Sequence, residues 1–502
     1  MPSSSPRKNI RVLFVTPEVF PLCKTGGLGD VSAALPVALR ALKMDARLLL
    51  PGYPAVLAGL KSRRKVATFD LQPHFPPATL LSSRLQINES VSVPLYVIHC
   101  PALYQRTGGI YLDDTGQDWP DNAQRFGLLS KIGALLASDA SPLAWVPDIV
   151  HCNDWQSGLT PAYLHFHSGK KAASLITLHN LAFQGNFPSD EVAKLGLPDE
   201  SFSMHGAEFY GNLSFLKAGI YYSDHISTVS PGYAREIQQE PLGFGLQGLL
   251  AKRSDDITGI VNGIDTAIWN PATDPYLVKK YTSRNLSAKA ANKLALQQTM
   301  GLENNQAIPL FGTVSRLTHQ KGSDIMLQVA PMLADLPAQL ALLGSGDALL
   351  EQQLAALAQA FPTKIAVRIG YDEALSHLIN AGTDCFLMPS RFEPCGLNQM
   401  YSQHYGTPPV VHATGGLMDT VVDLTPETLA DKSASGFHFH EMTADSFMEG
   451  IKRAINAYHN TRLWKNLQRN GMQKDFSWQA SASAYQSIYS LLMQKNRPAS
   501  TA

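Results

Sequence analysis

Cysteine is sparse. Five residues in 502 (Cys23, Cys100, Cys152, Cys385 and Cys395) are scattered, odd in number and form no C-x-x-C pair. That spacing excludes a disulfide framework and a structural zinc ribbon, and it points to a reducing, cytoplasmic setting. No apolar run reaches the ~18–20 residues of a membrane span. Neither sign of charge is in excess, with 41 basic and 41 acidic residues. Chain-wide attraction to nucleic acid or to an anionic membrane is thereby excluded, although a local basic cluster is not. No short repeat marks a solenoid.

What is present is length and alternation. A chain of 502 residues exceeds one hydrophobic core, so two or more domains are expected. The first half carries β-type apolar runs at 10–16, 47–50, 93–99, 148–152, 174–178 and 225–229. The second half carries them at 257–261, 309–314, 339–343, 365–369, 384–388 and 409–412. Helical patterns at 322–335, 347–360, 372–381, 396–405 and 445–458 separate the latter. Strand–helix alternation predicts α/β domains with parallel sheets, two doubly wound Rossmann-like halves facing a central cleft. The expected division is a tail over 1–9, an N-terminal domain over 10–256, a C-terminal domain over 257–477, and a helix over 478–497 free to pack back on the N-terminal domain. Two long irregular segments, 101–122 and 181–212, hold aromatics such as Tyr104, Tyr111, Phe183 and Tyr210. Such rings stack on sugars or form a loop's own small core.

One stretch organises the first half. Lys24-Thr25-Gly26-Gly27-Leu28-Gly29-Asp30 lies between a strand and an amphipathic helix whose Val31, Ala34, Leu35, Ala38, Leu39 and Leu42 share one face. Glycines admit a ligand close to backbone, a helix start offers N–H groups and a positive dipole end, and lysine adds a mobile charge. The set suits a phosphate. The turn matches neither G-x-G-x-x-G nor G-x-x-x-x-G-K-[ST], so a plain tight connection is the competing reading.

In open α/β sheets ligands bind beyond the carboxyl ends of the strands. There lie His179-Asn180, Asn153-Asp154-Trp155, Ser315-Arg316-Leu317 with Lys321-Gly322, Gly344-Ser345-Gly346-Asp347, Pro389 to Gly396, and Ala413-Thr414-Gly415-Gly416. Each has an ordinary explanation: a part-buried histidine, surface charges at helix ends, a capping Glu393, turn glycines. Their joint position on one edge favours a site. Lys24, Arg316 and Lys321 form a cation set able to hold a diphosphate without a metal, and no carboxylate pair suggests a metal site. The chemistry suggested is departure of a nucleoside diphosphate.

These motifs, with His151-Cys152-Asn153-Asp154-Trp155 and Val261-Asn262-Gly263-Ile264-Asp265, resemble the bacterial glycogen synthase and plant starch synthase family, retaining glycosyltransferases of the GT-B fold. The resemblance runs from about residue 10 to 490. It implies transfer of glucose from ADP-glucose to the non-reducing 4-OH of an α-1,4-glucan (glycogen or a maltooligosaccharide), with no cofactor or metal, no nucleic-acid or membrane partner, and a monomer or small homo-oligomer. It implies catalytic roles for Lys24, His179, Arg316, Lys321 and Glu393. It implies substrate contacts from Gly26, Gly27, Asp30, Tyr104, Asp154, Asn180, Asn262, Tyr371, Cys395, Gly396, Leu397, Thr414, Gly415 and Gly416, Tyr371 being similar to a tyrosine that stacks on adenine. The wider GT-B pattern has a second glutamate eight residues after the first; here Tyr401 stands at that place after Glu393.

Glucan phosphorylases share the fold but need a pyridoxal phosphate lysine and a longer chain. A dehydrogenase fits less well, because no G-x-G-x-x-G is expected to open a helix. A silent glucan-binding or sugar-nucleotide-sensing protein is the rival from another class; release of ADP from ADP-glucose separates it.

Overall fold

The computed structural model describes residues 9–87 and 91–495. The tail expected over 1–9, apart from Asn9, and the last two residues of the helix expected over 478–497 lie outside them. The chain forms two units. The first takes the chain to Val229, Ala234–Gly263 and the chain from Trp478 onward; the second takes Ser230–Tyr233 and Ile264–Ser477.

A nine-stranded sheet forms the first unit, in the order Ile257–Gly259, His225–Thr228, Ala173–Leu178, Ile149–Asn153, Arg11–Val15, Asp45–Pro51, Ser92–His99, Ala78–Gln86 and Arg64–Phe69. The first seven run parallel, and the last two pair antiparallel at the edge. Arg11–Val15 is central: Phe14 faces Leu48 on one side and His151 on the other. Val12, Leu13, Phe14 and Val15 are wholly buried, as expected for a parallel sheet covered on both faces.

Three expectations are corrected here. Ile257–Gly259, expected to open the second half, pairs Ile257 with Ile226 and extends the first sheet, so the boundary lies at 263 rather than 256. The edge hairpin Arg64–Phe69 with Ala78–Gln86 was not expected. Its exposed Arg64, Lys65 and Arg84 hide the apolar alternation, and charge of that kind is what keeps a sheet edge from pairing with other chains. The irregular segment 181–212 contains the strands Asn186–Pro188 and Glu208–Phe209, which flank Asn212–Ser214 in a small antiparallel sheet.

The helix Trp478–Lys495 belongs to the first unit. It packs against the helix Gly27–Ala41. The Ser481 hydroxyl donates to Val261 O at 2.7 Å, and the Tyr489 hydroxyl meets His151 Nδ1 at 2.8 Å.

The second unit holds a six-stranded parallel sheet, ordered Ile365–Ile369, Gln339–Gly346, Leu310–Leu317, Cys385–Met388, Pro409–His412 and Phe437–Phe439. Helices Ser323–Ala334, Ala348–Ala360, Glu373–Gly382, Asn398–His404 and Ala444–Tyr458 stand where the periodicity places them. Asp347 caps one by accepting from Leu349 N and Leu350 N, and Asp372 caps another by accepting from Leu375 N, satisfying donors the helix itself leaves open. The edge strand Phe437–Phe439 and the helix Thr461–Gln473 were not expected from the sequence.

Candidate functional site

In the first unit the strand Arg11–Val15 runs out into the segment carrying Glu18, Lys24 and the glycines, and the helix Gly27–Ala41 follows. Neither Gly26 nor Gly27 has a left-handed backbone, and a Cβ at either would meet nothing within 4 Å. The fold does not demand glycine there; open space beside backbone is what a closely approaching ligand needs. The Lys24 stem lies over Gly29, where a Cβ would come within 3.0 Å of it. Its ammonium pairs with Asp30 at 2.7 Å. Glu18, which the sequence did not single out, is buried and accepts from Thr25 N at 2.5 Å and Thr25 Oγ1 at 2.9 Å.

Two neighbouring strands of the same sheet deliver the next group. Asp154 follows Ile149–Asn153 with φ 53°, a left-handed backbone unusual for aspartate. Its Oδ1 accepts from His179 N at 2.6 Å and from Asn180 N at 3.4 Å, the two residues that follow Ala173–Leu178. Burial pushes the Asp154 carboxyl up to about 7, against those two amides. Burial pushes the His179 imidazole down to about 3. His179 is therefore neutral near pH 7; with Nε2 donating to Asn153 Oδ1 at 3.0 Å, Nδ1 is left as an acceptor. Asn262 is buried, and among the described residues its Oδ1 has no hydrogen-bond partner. A buried amide oxygen left so is costly unless a ligand supplies the donor.

Tyr104 does not fit its expected role. Its side chain is 1% exposed and its hydroxyl donates to Arg125 O at 2.6 Å, so it is a core ring with no face for a sugar. Tyr111 likewise packs on Phe126 and Trp155. Gly243-Phe244-Gly245-Leu246-Gln247-Gly248 spells the dinucleotide fingerprint, but it follows no strand and leads into the short helix Gln247–Lys252.

The second unit gathers its groups beyond Leu310–Leu317 and Cys385–Met388. Lys321 Nζ meets Glu393 Oε2 at 2.5 Å, and the Ser390 hydroxyl donates to the same oxygen at 3.2 Å. Arg316 is exposed and makes no side-chain hydrogen bond or ion pair among the described residues. The loop between Pro389 and Gly396 is pinned from outside: Arg391 binds both oxygens of Asp324 at 2.7 Å, a fork geometry only arginine provides. Gly322, at φ 70°, has room for no side chain, since a Cβ would fall 1.9 Å from Pro389 O. Gly416 donates to Glu393 O at 3.0 Å and lies against Cys395, bringing Thr414-Gly415-Gly416 onto the Glu393-Pro394-Cys395 backbone. Cys395 and Thr414 are buried, while Gly396 and Leu397 are half-buried.

Tyr371 is 83% exposed, and its hydroxyl contacts the Glu373 carboxylate. One face of ring is thus open for stacking. Tyr401 stacks on Trp269 at 3.8 Å, and Trp269 stacks on His377 at 3.9 Å. The position eight after Glu393 is filled by packing rather than by a second carboxylate. Among the described residues no cluster of three or more His, Cys, Asp or Glu side chains suits a metal ion. Among them, too, no helix is long and apolar enough to cross a membrane.

The family described as "Starch synthase catalytic domain" matches residues 11–252, and "Glycosyl transferases group 1" matches residues 301–473. A glycogen synthase of Nitrosomonas europaea is 79% identical over 99% of this chain and 100% of its own length. The chain belongs to the glycogen synthase family of glycosyltransferases. A second glycogen synthase, from Nitrosospira multiformis, is 62% identical over 97% of this chain and 98% of its own. The catalytic domain of starch synthase IV from Arabidopsis thaliana, solved with ADP and acarbose, superposes with a TM-score of 0.84 at 31% identity, covering 97% of this chain and 100% of that one. The two parallel-sheet units are accordingly those of a GT-B-type glucosyltransferase, and the family's motifs fall on the carboxyl edges of both sheets.

Proposed function

We propose that the chain transfers glucose from ADP-glucose to the non-reducing 4-OH of an α-1,4-glucan with retention of configuration, in glycogen synthesis. Besides family membership, one observation carries the assignment of roles: Lys321 and Glu393 meet at the sheet edge beyond Arg316. Arg316 and Lys321 take the diphosphate in this reading, and Lys24 adds a charge from the first unit. Donor binding draws the Lys321 ammonium onto phosphate and leaves Glu393 to accept from glucose hydroxyls. The open face of Tyr371 takes adenine. His179 Nδ1, Asn180, Asp154 and Asn262 address the glucose, while Gly26, Gly27, Asp30 and the backbone at Cys395–Leu397 and Thr414–Gly416 line the donor.

Charge that builds on the departing ADP is met by fixed cations, each typically worth ~10²–10³ in rate. No side chain is assigned as a nucleophile; departure and attack occur on one face, with water kept out. The enzyme needs no metal in this reading and works in the cytoplasm as a monomer or small homo-oligomer.

The deciding assay is ADP release from ADP-glucose with glycogen as acceptor, repeated with UDP-glucose and with EDTA. Release that depends on glycogen, prefers ADP-glucose and survives EDTA is expected. Equal use of UDP-glucose sinks the nucleotide assignment, and loss in EDTA sinks the metal-free one. Lys24→Ala within a few-fold of wild type sinks the first-unit phosphate contact.

A further inference from the structure

We propose that Glu18 is a positioning residue for the transfer, its buried carboxylate holding the Lys24-Thr25-Gly26-Gly27 turn in the shape that presents Lys24 to the donor diphosphate. The inference rests on the assignment of Lys24 made above. Glu18 is 2% exposed, and two donors of one residue converge on the same oxygen: Thr25 N at 2.5 Å and Thr25 Oγ1 at 2.9 Å. A carboxylate out of water is costly unless so satisfied, and a turn gripped through both the amide and the hydroxyl of Thr25 has little freedom.

The grip is anchored on every side. The Thr16 hydroxyl donates to Glu18 O at 3.0 Å and meets Ser32 Oγ at 2.8 Å, tying the Glu18 backbone to the helix Gly27–Ala41. Phe20 N donates to Gly29 O at 3.1 Å, and Val19 and Cys23 exchange backbone hydrogen bonds at 2.9 Å.

The placement also accounts for the turn's departure from the phosphate-loop patterns. An anion is favoured at a helix N-terminus. Here Glu18, an internal anion, takes the amide and hydroxyl of Thr25 just ahead of Gly27–Ala41. The Thr25 amide is spent inside the protein, and the group turned toward solvent is the lysine, 40% exposed at its side chain and partnered by Asp30. Glu18 therefore acts through Lys24 and does not touch the substrate.

A double-mutant cycle tests this on the full-length enzyme, reading ADP release from ADP-glucose with saturating glycogen. Glu18→Ala is expected to lower kcat about 100-fold, the order of loss from misplacing a catalytic group by 1 Å, with donor KM moving much less. In a Lys24→Ala background the same change is expected to cost less than about threefold, because the residue it positions is gone. Glu18→Gln, which keeps one acceptor, is expected to recover most of the loss. Thermal unfolding checks each variant; if Glu18→Ala fails to fold, the cycle is run with Thr25→Val, which removes the hydroxyl that donates to Glu18 and whose loss must likewise shrink without Lys24. A full loss in the Lys24→Ala background, or Glu18→Ala as fast as wild type while Lys24→Ala is slow, overturns the role of Glu18 alone. Lys24→Ala as fast as wild type is a different failure: it removes the Lys24 assignment, and this inference with it.

Discussion

Asp154 and His179 end adjacent parallel strands, and the strained aspartate accepts the histidine's backbone N–H at 2.6 Å. One residue in a left-handed conformation thus fixes where the next strand delivers its imidazole. Strain of this sort persists only where surrounding structure over-determines it, here through two amides on one carboxylate oxygen.

The pair gives opposed pH dependences. Asp154 is raised from 3.8 to about 7, so from about pH 4 upward the folded chain keeps a proton that the unfolded chain has released; that stabilisation is lost as pH rises toward 7. His179 is lowered from 6.5 to about 3, so below 6.5 the unfolded chain binds a proton the folded chain refuses, and stability is lost as pH falls. Relative to wild type, the Tm of Asp154→Asn should rise between about pH 4 and 7, and that of His179→Gln should rise as pH falls through the same range. Melting curves at half-unit pH steps check both; flat differences refute the assignment.

Lys321 and Glu393 form a mostly buried pair, their side chains 18% and 7% exposed. Lys321→Ala leaves a buried carboxylate without its cation, a loss of about 3–5 kcal/mol for such pairs. Glu393→Gln removes the charge itself and should cost less stability. Both are expected to slow turnover about 10²–10³-fold. Comparing the two in urea unfolding and in ADP release separates the stability effect from the kinetic one.

Gly27→Ala isolates ligand approach from folding. The added Cβ meets no neighbour within 4 Å, and alanine is favoured over glycine in a helix by about 1 kcal/mol. Tm should hold or rise while kcat/KM falls about tenfold or more. Unchanged kinetics would mean that no ligand comes close to this backbone.

Two tyrosines should part company. Tyr371→Ala is expected to raise donor KM about five- to tenfold, the value of one aromatic stack, at constant Tm. Tyr104→Phe removes a buried hydrogen bond to Arg125 O and should cost about 1 kcal/mol of stability with kinetics unchanged. The reverse pattern would exchange their roles.

The sequence made legible what sits at strand ends in runs of unusual residues: the Lys24 turn, Arg316 with Lys321, the Pro389–Gly396 loop and Thr414–Gly416. Parallel strands are continuous apolar runs, so their ends are marked. Glu18 is illegible because a lone acid in a short connection has no periodicity, and its two donors come from Thr25, a residue that looks like solvent-facing turn. The left-handed backbone of Asp154 leaves no trace in residue type. The hairpin Arg64–Phe69 with Ala78–Gln86 is hidden because its charged edge masks the alternation, and the apolar run at 257–261 does not show which unit its strand joins, because a short run does not encode its pairing partner. Tyr104 lay in an irregular segment, where the sequence cannot tell an exposed ring from a core one.

The helix Trp478–Lys495 has a consequence for synthesis. It packs on Gly27–Ala41 and reaches His151 through Tyr489, so the unit whose first strand leaves the ribosome earliest is completed last. Throughout translation of the 214 residues from Ile264 to Ser477, the nascent first unit waits with that surface bare. A message truncated after codon 439 and before codon 478 yields all six strands of the second sheet and an uncapped first one, and the helix that starts at the Lys24 turn is the element left without its cover.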